Sequence, residues 1–121
     1  MYEIAVEETF DAAHCLPDDK GDCRRLHGHT YRVRARFRFA SIEESGMAID
    51  FREAKVALRA ALSDLDHQYL NDLPAFSKTV PTAENLARHI FERVGADRPS
   101  MHSVSVWETP TSCATYCRDN P

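Results

Sequence analysis

Apolar and polar residues alternate along the stretch from His29 to Phe39. The apolar positions are Tyr31, Val33, Ala35, Phe37 and Phe39, and the positions between them are Thr30, Arg32, Arg34, Arg36 and Arg38. Successive side chains of a strand point to opposite faces, so this period of two predicts a strand with one apolar and one basic face. Residues rich in β-favouring types predict further strands at Tyr2–Phe10, Ser103–Trp107 and Ala114–Cys117, and a short returning strand at Met47–Ile49.

Two segments instead repeat their apolar residues at helical spacing. The first begins after Asp50, a residue type that caps helices, and Glu53 completes a pattern typical of a capping box. The second opens at Pro81-Thr82 and ends at Gly95. The polar stretch Leu16–Arg25 is a predicted loop. The order ββααββ predicts an α+β fold, an antiparallel sheet with both helices on one face.

Two helices can cover only one face of such a sheet. The other face would carry the arginine row, and the sheet edges would remain open. Long open edges favour pairing with another chain. Two interpretations stay open from the pattern alone: a solvated charged face, or an oligomer whose sheets join edge to edge.

Length and composition narrow the class of protein. At 121 residues, with 43% hydrophobic and 28% charged residues, the chain is expected to form one domain over residues 1–121. A net charge of −4 argues against general nucleic-acid binding, and no apolar run approaches the length of a membrane span. The acidic start does not resemble a signal peptide, so we expect a cytoplasmic protein whose four cysteines are thiols or ligands.

Three histidines form a candidate metal centre. His27 and His29 are two residues apart at the start of a predicted strand, so their rings point to the same side. His14 ends the preceding strand, and hairpin pairing would bring it beside them. Three imidazoles suit Zn²⁺ and leave a fourth position open, as in catalytic sites. Ordinary hydrogen-bonded histidines, or a closed zinc site with Cys15 or Cys23 as fourth ligand, are the alternatives.

Other residues that could take part in a reaction lie near this centre in the sequence or at the ends of predicted elements. Cys23 precedes His27 by four residues and stands beside two arginines, which favours the reactive thiolate. Asp66 can orient His67 for acid–base work, although a surface pair at a helix end has the same sequence. Glu108 ends a predicted strand, where a carboxylate can hold a pair of donors or simply face solvent.

Six short motifs occur in one order between residues 14 and 109. They are His14, Cys-x-x-x-His-Gly-His (23–29), Met-Ala-Ile-Asp-Phe (47–51), Leu-Asp-His-x-Tyr-Leu-Asn (65–71), Pro-Thr-x-Glu-Asn-Leu-Ala (81–87) and Trp-Glu-Thr (107–109). Together they resemble the 6-pyruvoyl-tetrahydropterin synthase family. The three-residue gap between Cys23 and His27 resembles the bacterial 6-carboxy-tetrahydropterin synthase branch of the queuosine pathway.

The resemblance implies a tunnelling fold, in which ββααββ subunits join their sheets into a barrel as a homo-oligomer, a trimer or hexamer with active sites between subunits. It implies that His14, His27 and His29 bind zinc. It also implies that Cys23 accepts a proton with help from Asp66 and His67, His67 possibly coming from a neighbouring subunit, and that Glu108 holds the pterin ring with support from Thr82. The implied substrate is 7,8-dihydroneopterin triphosphate, and the implied products are 6-carboxy-tetrahydropterin, acetaldehyde and triphosphate.

Rival functions remain at this point. One is the pyruvoyl-forming synthase, another is an aldolase-like pterin enzyme that Cys23 argues against, and a third is a non-catalytic zinc module. Candidate triphosphate ligands are Lys20, Arg24 and Arg25. His89, His102, Cys15, Cys113 and Cys117 receive no role, and we expect the last two to pack in an ordinary way.

Overall fold

A computed structural model describes residues 1–17 and 19–118. Within these ranges five strands form one sheet: β1 (Tyr2–His14), β2 (His27–Phe39), β3 (Gln68–Tyr69), β4 (Met101–Thr109) and β5 (Ser112–Cys117). Two helices, α1 (Phe51–Leu62) and α2 (Ala83–Gly95), lie between β2 and β4 in the chain. Among the described residues, no helix is both long and apolar enough to cross a membrane.

The strands are ordered β3-β1-β2-β4-β5, and only the contact between β3 and β1 is parallel. The predicted period of two in β2 is confirmed, because Tyr31, Val33, Ala35 and Phe37 are fully buried. Their partners across β1 lie on the same face, and Phe10 stacks on Tyr31 with ring centroids 4.8 Å apart. This apolar face forms the floor of the core.

Both predicted helix starts are confirmed by their caps. The Asp50 carboxylate accepts a hydrogen bond from the Arg52 N–H at 2.8 Å, and the Thr82 hydroxyl accepts one from the Asn85 N–H at 3.1 Å. Glu53 does not complete a capping box but lies 3.5 Å from the Arg98 guanidinium. The helices bury one stripe each against the sheet: Ala54, Leu58, Ala61 and Leu62 from α1, and Leu86, Ala87, Ile90 and Val94 from α2.

The predicted strand at Met47–Ile49 is wrong. Glu43 N–H donates to the Met47 carbonyl at 3.0 Å, and Gly46 N–H donates back to Glu43 at 2.9 Å, so the segment closes on itself as a turn. The physical reason is that β2 already has β1 and β4 as its two neighbours, which leaves no edge for a returning strand. The two-residue strand β3 is an additional element that the pattern did not predict.

The opposite face of the sheet carries the arginines, but β1 places glutamates against them. Glu7 lies 2.5 Å from the Arg34 guanidinium, and Glu3 lies 3.4 and 3.2 Å from those of Arg36 and Arg38. Arg32 covers the Trp107 ring at 4.1 Å. On the face predicted to be basic, arginines therefore form ion pairs with glutamates, although arginines still outnumber glutamates there.

Candidate active site

Strand pairing brings the three candidate histidines to one end of the helix-covered face. His14 is directly opposite His27 in the hairpin of β1 and β2, and His29 is opposite Ala12. Because these positions share the face of the buried residues Phe10 and Tyr31, the rings enter the end of the core. His14 is completely buried, whereas His27 and His29 are half-buried.

The three rings converge. Their centroids are 4.5 Å apart for His14 and His27, 5.1 Å for His14 and His29, and 4.8 Å for His27 and His29. One nitrogen of each ring lies within 4.8 Å of the other two. Among the described residues neither Cys15 nor Cys23 joins this group, so the closed four-ligand alternative is not formed. These three histidines can hold a metal ion.

The outer nitrogens decide which atoms face the centre. His14 Nδ1 lies 2.8 Å from the Pro81 carbonyl, and His27 Nδ1 lies 2.7 Å from that of Arg25. A carbonyl only accepts, so each Nδ1 carries the proton and each Nε2 presents a lone pair. These two Nε2 atoms face each other at 2.9 Å, and the buried Nε2 of His29 has no hydrogen-bond partner among the described residues. Such converging, unsatisfied lone pairs fit a cation.

Burial also favours metal binding, because it opposes protonation of the histidine rings. It lowers the pKa of His14 and the pKa of His29, against the opposing influence of the Glu108 carboxylate. The neutral imidazole is the form that binds metals. The surroundings therefore favour the ligating state of these two rings.

Glu108 borders the histidine group from β4. Its Oε2 atom lies 4.0 Å from His29 Nε2. Glu108 and Thr82 line one open cavity of about 380 Å³, together with Leu16 and residues at the start of β5. The Thr82 hydroxyl already accepts the cap hydrogen bond of α2, and its proton remains available for donation to a ligand. The structure thus places both predicted pterin-binding residues in one cavity beside the histidines.

Cys23 lies on a single 3-10 turn, Asp22–Arg24, and its side chain is exposed. Its backbone carbonyl accepts a hydrogen bond from Leu16 N–H at 2.7 Å, which ties the loop to the chain just after β1. Lys20, Arg24 and Arg25 are also exposed on this loop. The loop therefore presents a thiol and three cations to the solvent.

Asp66 and His67 form a second group. Asp66 Oδ2 lies 3.0 Å from His67 Nδ1, and Asp66 Oδ1 accepts from the Asp11 N–H at 3.0 Å. The hydrogen bond from Asp11 and then that from His67 lower the pKa of Asp66. His67 has a φ of 61°, and its N–H donates to the Asp11 carbonyl at 2.6 Å. Its side chain is 77% exposed.

This second group does not share a face with the histidines of the same chain. The Asp11 carboxylate, which groups with Asp66 and His67, accepts from the Thr30 hydroxyl. Asp11 and Thr30 pair across the hairpin and lie between residues of the core face, so they point to the opposite side of the sheet. Within one chain, the Asp66–His67 pair and the histidine group are therefore held on opposite faces of the sheet.

Sequence reasoning missed two residues near the site, Tyr69 and Asn71, which both contact Cys15. Cys15 Sγ lies 3.2 Å from the Tyr69 hydroxyl, and the Asn71 amide binds the Cys15 backbone. The signal available for them was their place in the 65–71 motif. Cys113 and Cys117 are exposed rather than packed, so that prediction is wrong for the single chain, and Cys113 lines the cavity of Glu108.

The sheet with helices on one face, and three convergent imidazoles beside a carboxylate-lined cavity, define an α+β protein with a candidate metalloenzyme site. A sequence model of the family described as 6-pyruvoyl tetrahydropterin synthase matches residues 3–119. The chain belongs to this family, a family of pterin-synthesising enzymes, and it has the family's tunnelling fold.

Similar proteins carry two different names within the family. The 6-carboxy-5,6,7,8-tetrahydropterin synthase of Synechocystis is 42% identical over 122 residues, covering 96% of this chain and 93% of the relative. The enzyme of the same name from Haemophilus influenzae is 35% identical, covering 96% and 99%. The solved 6-pyruvoyl tetrahydropterin synthase of Caenorhabditis elegans superposes with a TM-score of 0.88 at 28% identity, covering 97% and 95%.

Proposed function

We propose that this chain is a single-domain, zinc-dependent 6-carboxy-5,6,7,8-tetrahydropterin synthase. As a carbon–carbon lyase it would convert 7,8-dihydroneopterin triphosphate and water to 6-carboxy-tetrahydropterin, acetaldehyde and triphosphate, in the cytoplasmic synthesis of queuosine. The observation that carries the proposal is the convergence of His14, His27 and His29 beside the cavity of Glu108. The relatives that bear this name, at 42% and 35% identity, support the choice of reaction.

The alternative is the pyruvoyl-forming synthase, which would eliminate triphosphate and keep all side-chain carbons. The likeness to the Caenorhabditis elegans structure favours it as the second candidate. The three-residue gap from Cys23 to His27 favours the carboxy-forming branch. A non-catalytic zinc module has less support, because no cysteine completes the histidine group in the described chain.

The histidine nitrogens fit a zinc ion, since two lone pairs face each other and a third buried nitrogen has no hydrogen-bond partner within residues 1–17 and 19–118. When bound there, the ion would act as a Lewis acid that makes protons beside the substrate's side-chain oxygens more acidic. The protein's part is to hold these imidazoles in the neutral form. Burial does this for His14 and His29. The carbonyls of Pro81 and Arg25 fix the protonated Nδ1 atoms of His14 and His27 so that each Nε2 faces the centre.

Proton transfer falls to residues outside the histidine group. Cys23 would accept a proton from the substrate side chain, for which its exposure on a short turn gives access. His67 would return a proton, with its ring held by Asp66 at 3.0 Å. Loss of triphosphate and cleavage of the carbon–carbon bond would follow from the enol that these transfers produce.

Substrate binding uses the cavity and the loop. Glu108 would accept hydrogen bonds from the amino-pyrimidine edge of the pterin, and the Thr82 hydroxyl, which lines the same cavity, would donate one to the ligand. The triphosphate needs cations, although the chain carries a net charge of −4. Lys20, Arg24 and Arg25 supply them on the loop that holds Cys23.

The two groups on opposite faces favour a homo-oligomer, a trimer or hexamer in which neighbouring chains share each site. Asp66 and His67 would then serve the histidine group of an adjacent subunit. The edge strand β5 has a free side in the single chain, as does most of β1 beyond the short β3, and these edges are suited to pairing between copies.

The first experiment is incubation with 7,8-dihydroneopterin triphosphate, with and without a chelator, followed by mass identification of the products. We expect acetaldehyde and 6-carboxy-tetrahydropterin in the metal-replete reaction and neither after chelation. A product that retains the three-carbon pyruvoyl side chain would establish the alternative. No turnover of this substrate by metal-replete protein would refute both synthases.

Co-expression of two inactive variants tests the sharing of sites. In mixed oligomers of His27→Ala and His67→Ala chains, a shared site is intact when one chain keeps its histidine group and its neighbour keeps His67. Random assembly makes this true for about one site in four, so we expect roughly a quarter of wild-type activity. A site built within one chain would regain none.

A further inference from the structure

The side-chain amide of Asn71 binds the backbone of Cys15, the residue that follows His14. Asn71 Oδ1 accepts from the Cys15 N–H at 2.9 Å, and Asn71 Nδ2 donates to the Cys15 carbonyl at 3.0 Å. A neighbouring strand would satisfy the same two backbone groups. The amide thus takes the place of a strand where β1 ends, immediately beside a candidate metal ligand.

The next residue continues this chain of contacts to Cys23. Leu16 N–H donates to the Cys23 carbonyl at 2.7 Å, so the orientation of the peptide after Cys15 sets the position of the turn that carries the thiol. Asn71 is thereby connected to His14 on one side and to Cys23 on the other, through two consecutive residues.

Asn71 itself has a firm support. It lies on the 3-10 turn Leu70–Asp72, directly after β3, and Leu70 is fully buried. β3 pairs with β1 at Ala12 and Ala13, close to the end that the amide holds. The amide therefore reaches Cys15 from a rigid platform, which is the requirement for a residue that fixes geometry.

We propose that Asn71 is a positioning residue for the reaction. It fixes the direction in which the chain leaves His14, and in this way it places the Cys23 turn relative to the histidine group. The proposal rests on the proposed function for its catalytic consequence, but the contact it invokes can be measured without substrate.

The test uses two variants and a matched control in the zinc-loaded protein. Asn71→Ala removes both hydrogen bonds, and Asn71→Asp keeps the shape but directs a carboxylate at the Cys15 carbonyl. Ser105→Ala is the control, because it also removes two side-chain hydrogen bonds, one to Thr115 of 2.7 Å and one from Arg36 of 3.3 Å, on the arginine face of the sheet. A loss of stability alone would affect the control in the same way.

We expect both Asn71 variants to lower kcat by about 10- to 100-fold with KM within about 3-fold, as displacement of a supporting contact does. We expect the Cys15 amide to exchange hydrogen faster in Asn71→Ala, because it loses its Oδ1 acceptor. We expect the Leu16 amide to exchange faster in both variants, because the peptide that holds it against the Cys23 carbonyl is no longer fixed by the Asn71 Nδ2 donor. Ser105→Ala should keep kcat within about 2-fold and leave these two amides unchanged.

Wild-type kcat and wild-type protection of the Cys15 and Leu16 amides in Asn71→Ala would overturn the proposal. If Asn71→Ala does not fold, wild-type kcat together with wild-type protection of the Leu16 amide in Asn71→Asp overturns it. A wild-type protein that is inactive on the pterin triphosphate refutes the proposed function, yet the exchange measurement still decides whether Asn71 holds this loop. Faster exchange with unchanged kcat in an active enzyme refutes the catalytic role alone.

Discussion

Removal of the His27 ring is expected to abolish the stabilisation that zinc gives to the fold. His27 is the appropriate candidate ligand to change, because its side chain is only half-buried. His14 is fully buried, and removal of its ring would leave a cavity. His27→Ala deletes one of the two nitrogens that face each other at 2.9 Å. The packing of the other two rings stays in place.

The size of the effect follows from linkage between binding and folding. A ligand at about 100 times its dissociation constant stabilises the folded state by about 2.7 kcal/mol. The entropy of unfolding is about 2.1 cal/mol/K per residue, or about 0.25 kcal/mol/K for 121 residues. Zinc should therefore raise the Tm of the wild-type protein by about 11 °C over the chelated protein.

Thermal unfolding with chelator and with excess zinc measures this shift. In chelator, the free energy of unfolding of His27→Ala should lie within about 1 kcal/mol of the wild-type value, which corresponds to about 4 °C in Tm. The variant loses only a half-buried ring and its hydrogen bond to the Arg25 carbonyl. Excess zinc should raise the Tm of His27→Ala only slightly. Cys23→Ala is the control and should keep the full shift while losing turnover, since its sulfur is outside the histidine group. An undiminished shift in His27→Ala, or its loss in Cys23→Ala, would refute the three-histidine site.

Two further predictions concern single residues. Glu108→Gln should raise KM for the pterin by about 10-fold or more while zinc content stays normal, because an NH2 donor replaces one of the two carboxylate oxygens and then faces a donor of the ring edge. Steady-state kinetics with metal analysis checks this, and an unchanged KM contradicts it. Burial lowers the pKa of His89, whose Nε2 is enclosed beside Phe76 with no hydrogen-bond partner in the described part of the chain. The unfolded chain therefore binds this proton at higher pH, and the free energy of unfolding falls as pH drops below about 6.5. His89→Leu should weaken this dependence in urea titrations at about pH 7.5 and about pH 5.5, and parallel curves for both proteins would contradict it.

Local signals predicted the main elements. The alternation in β2 works because its apolar side is fully buried from Tyr31 to Phe37, and the caps at Asp50 and Thr82 form as their residue types predict. The failures come from tertiary context. Two-residue β3 has no periodicity to detect, and Met47–Ile49 finds no free edge because β4 takes the second side of β2.

The charge on the arginine face could not be predicted from one strand. The pairing of Glu3 with Arg38 and of Glu7 with Arg34 depends on the register of the hairpin. In that register each glutamate also reaches a second arginine, Arg36 or Arg32, at 3.4 or 3.9 Å. A pattern read along β2 therefore overstates the net charge of its polar face.

The same parity that builds the candidate metal centre also places the candidate proton donor, His67, on the other face of the sheet. His14 is an even-numbered residue of β1 and faces the helices, whereas Asp11 is odd-numbered and faces away. Asp66 and His67 attach to the backbone and side-chain surroundings of Asp11, so the pair is held on the face away from the histidine group of its own chain. If both groups serve one reaction, we expect a second chain to supply one of them. Catalysis would then require assembly, and any substitution that opens the sheet edges would lower activity without touching a catalytic residue.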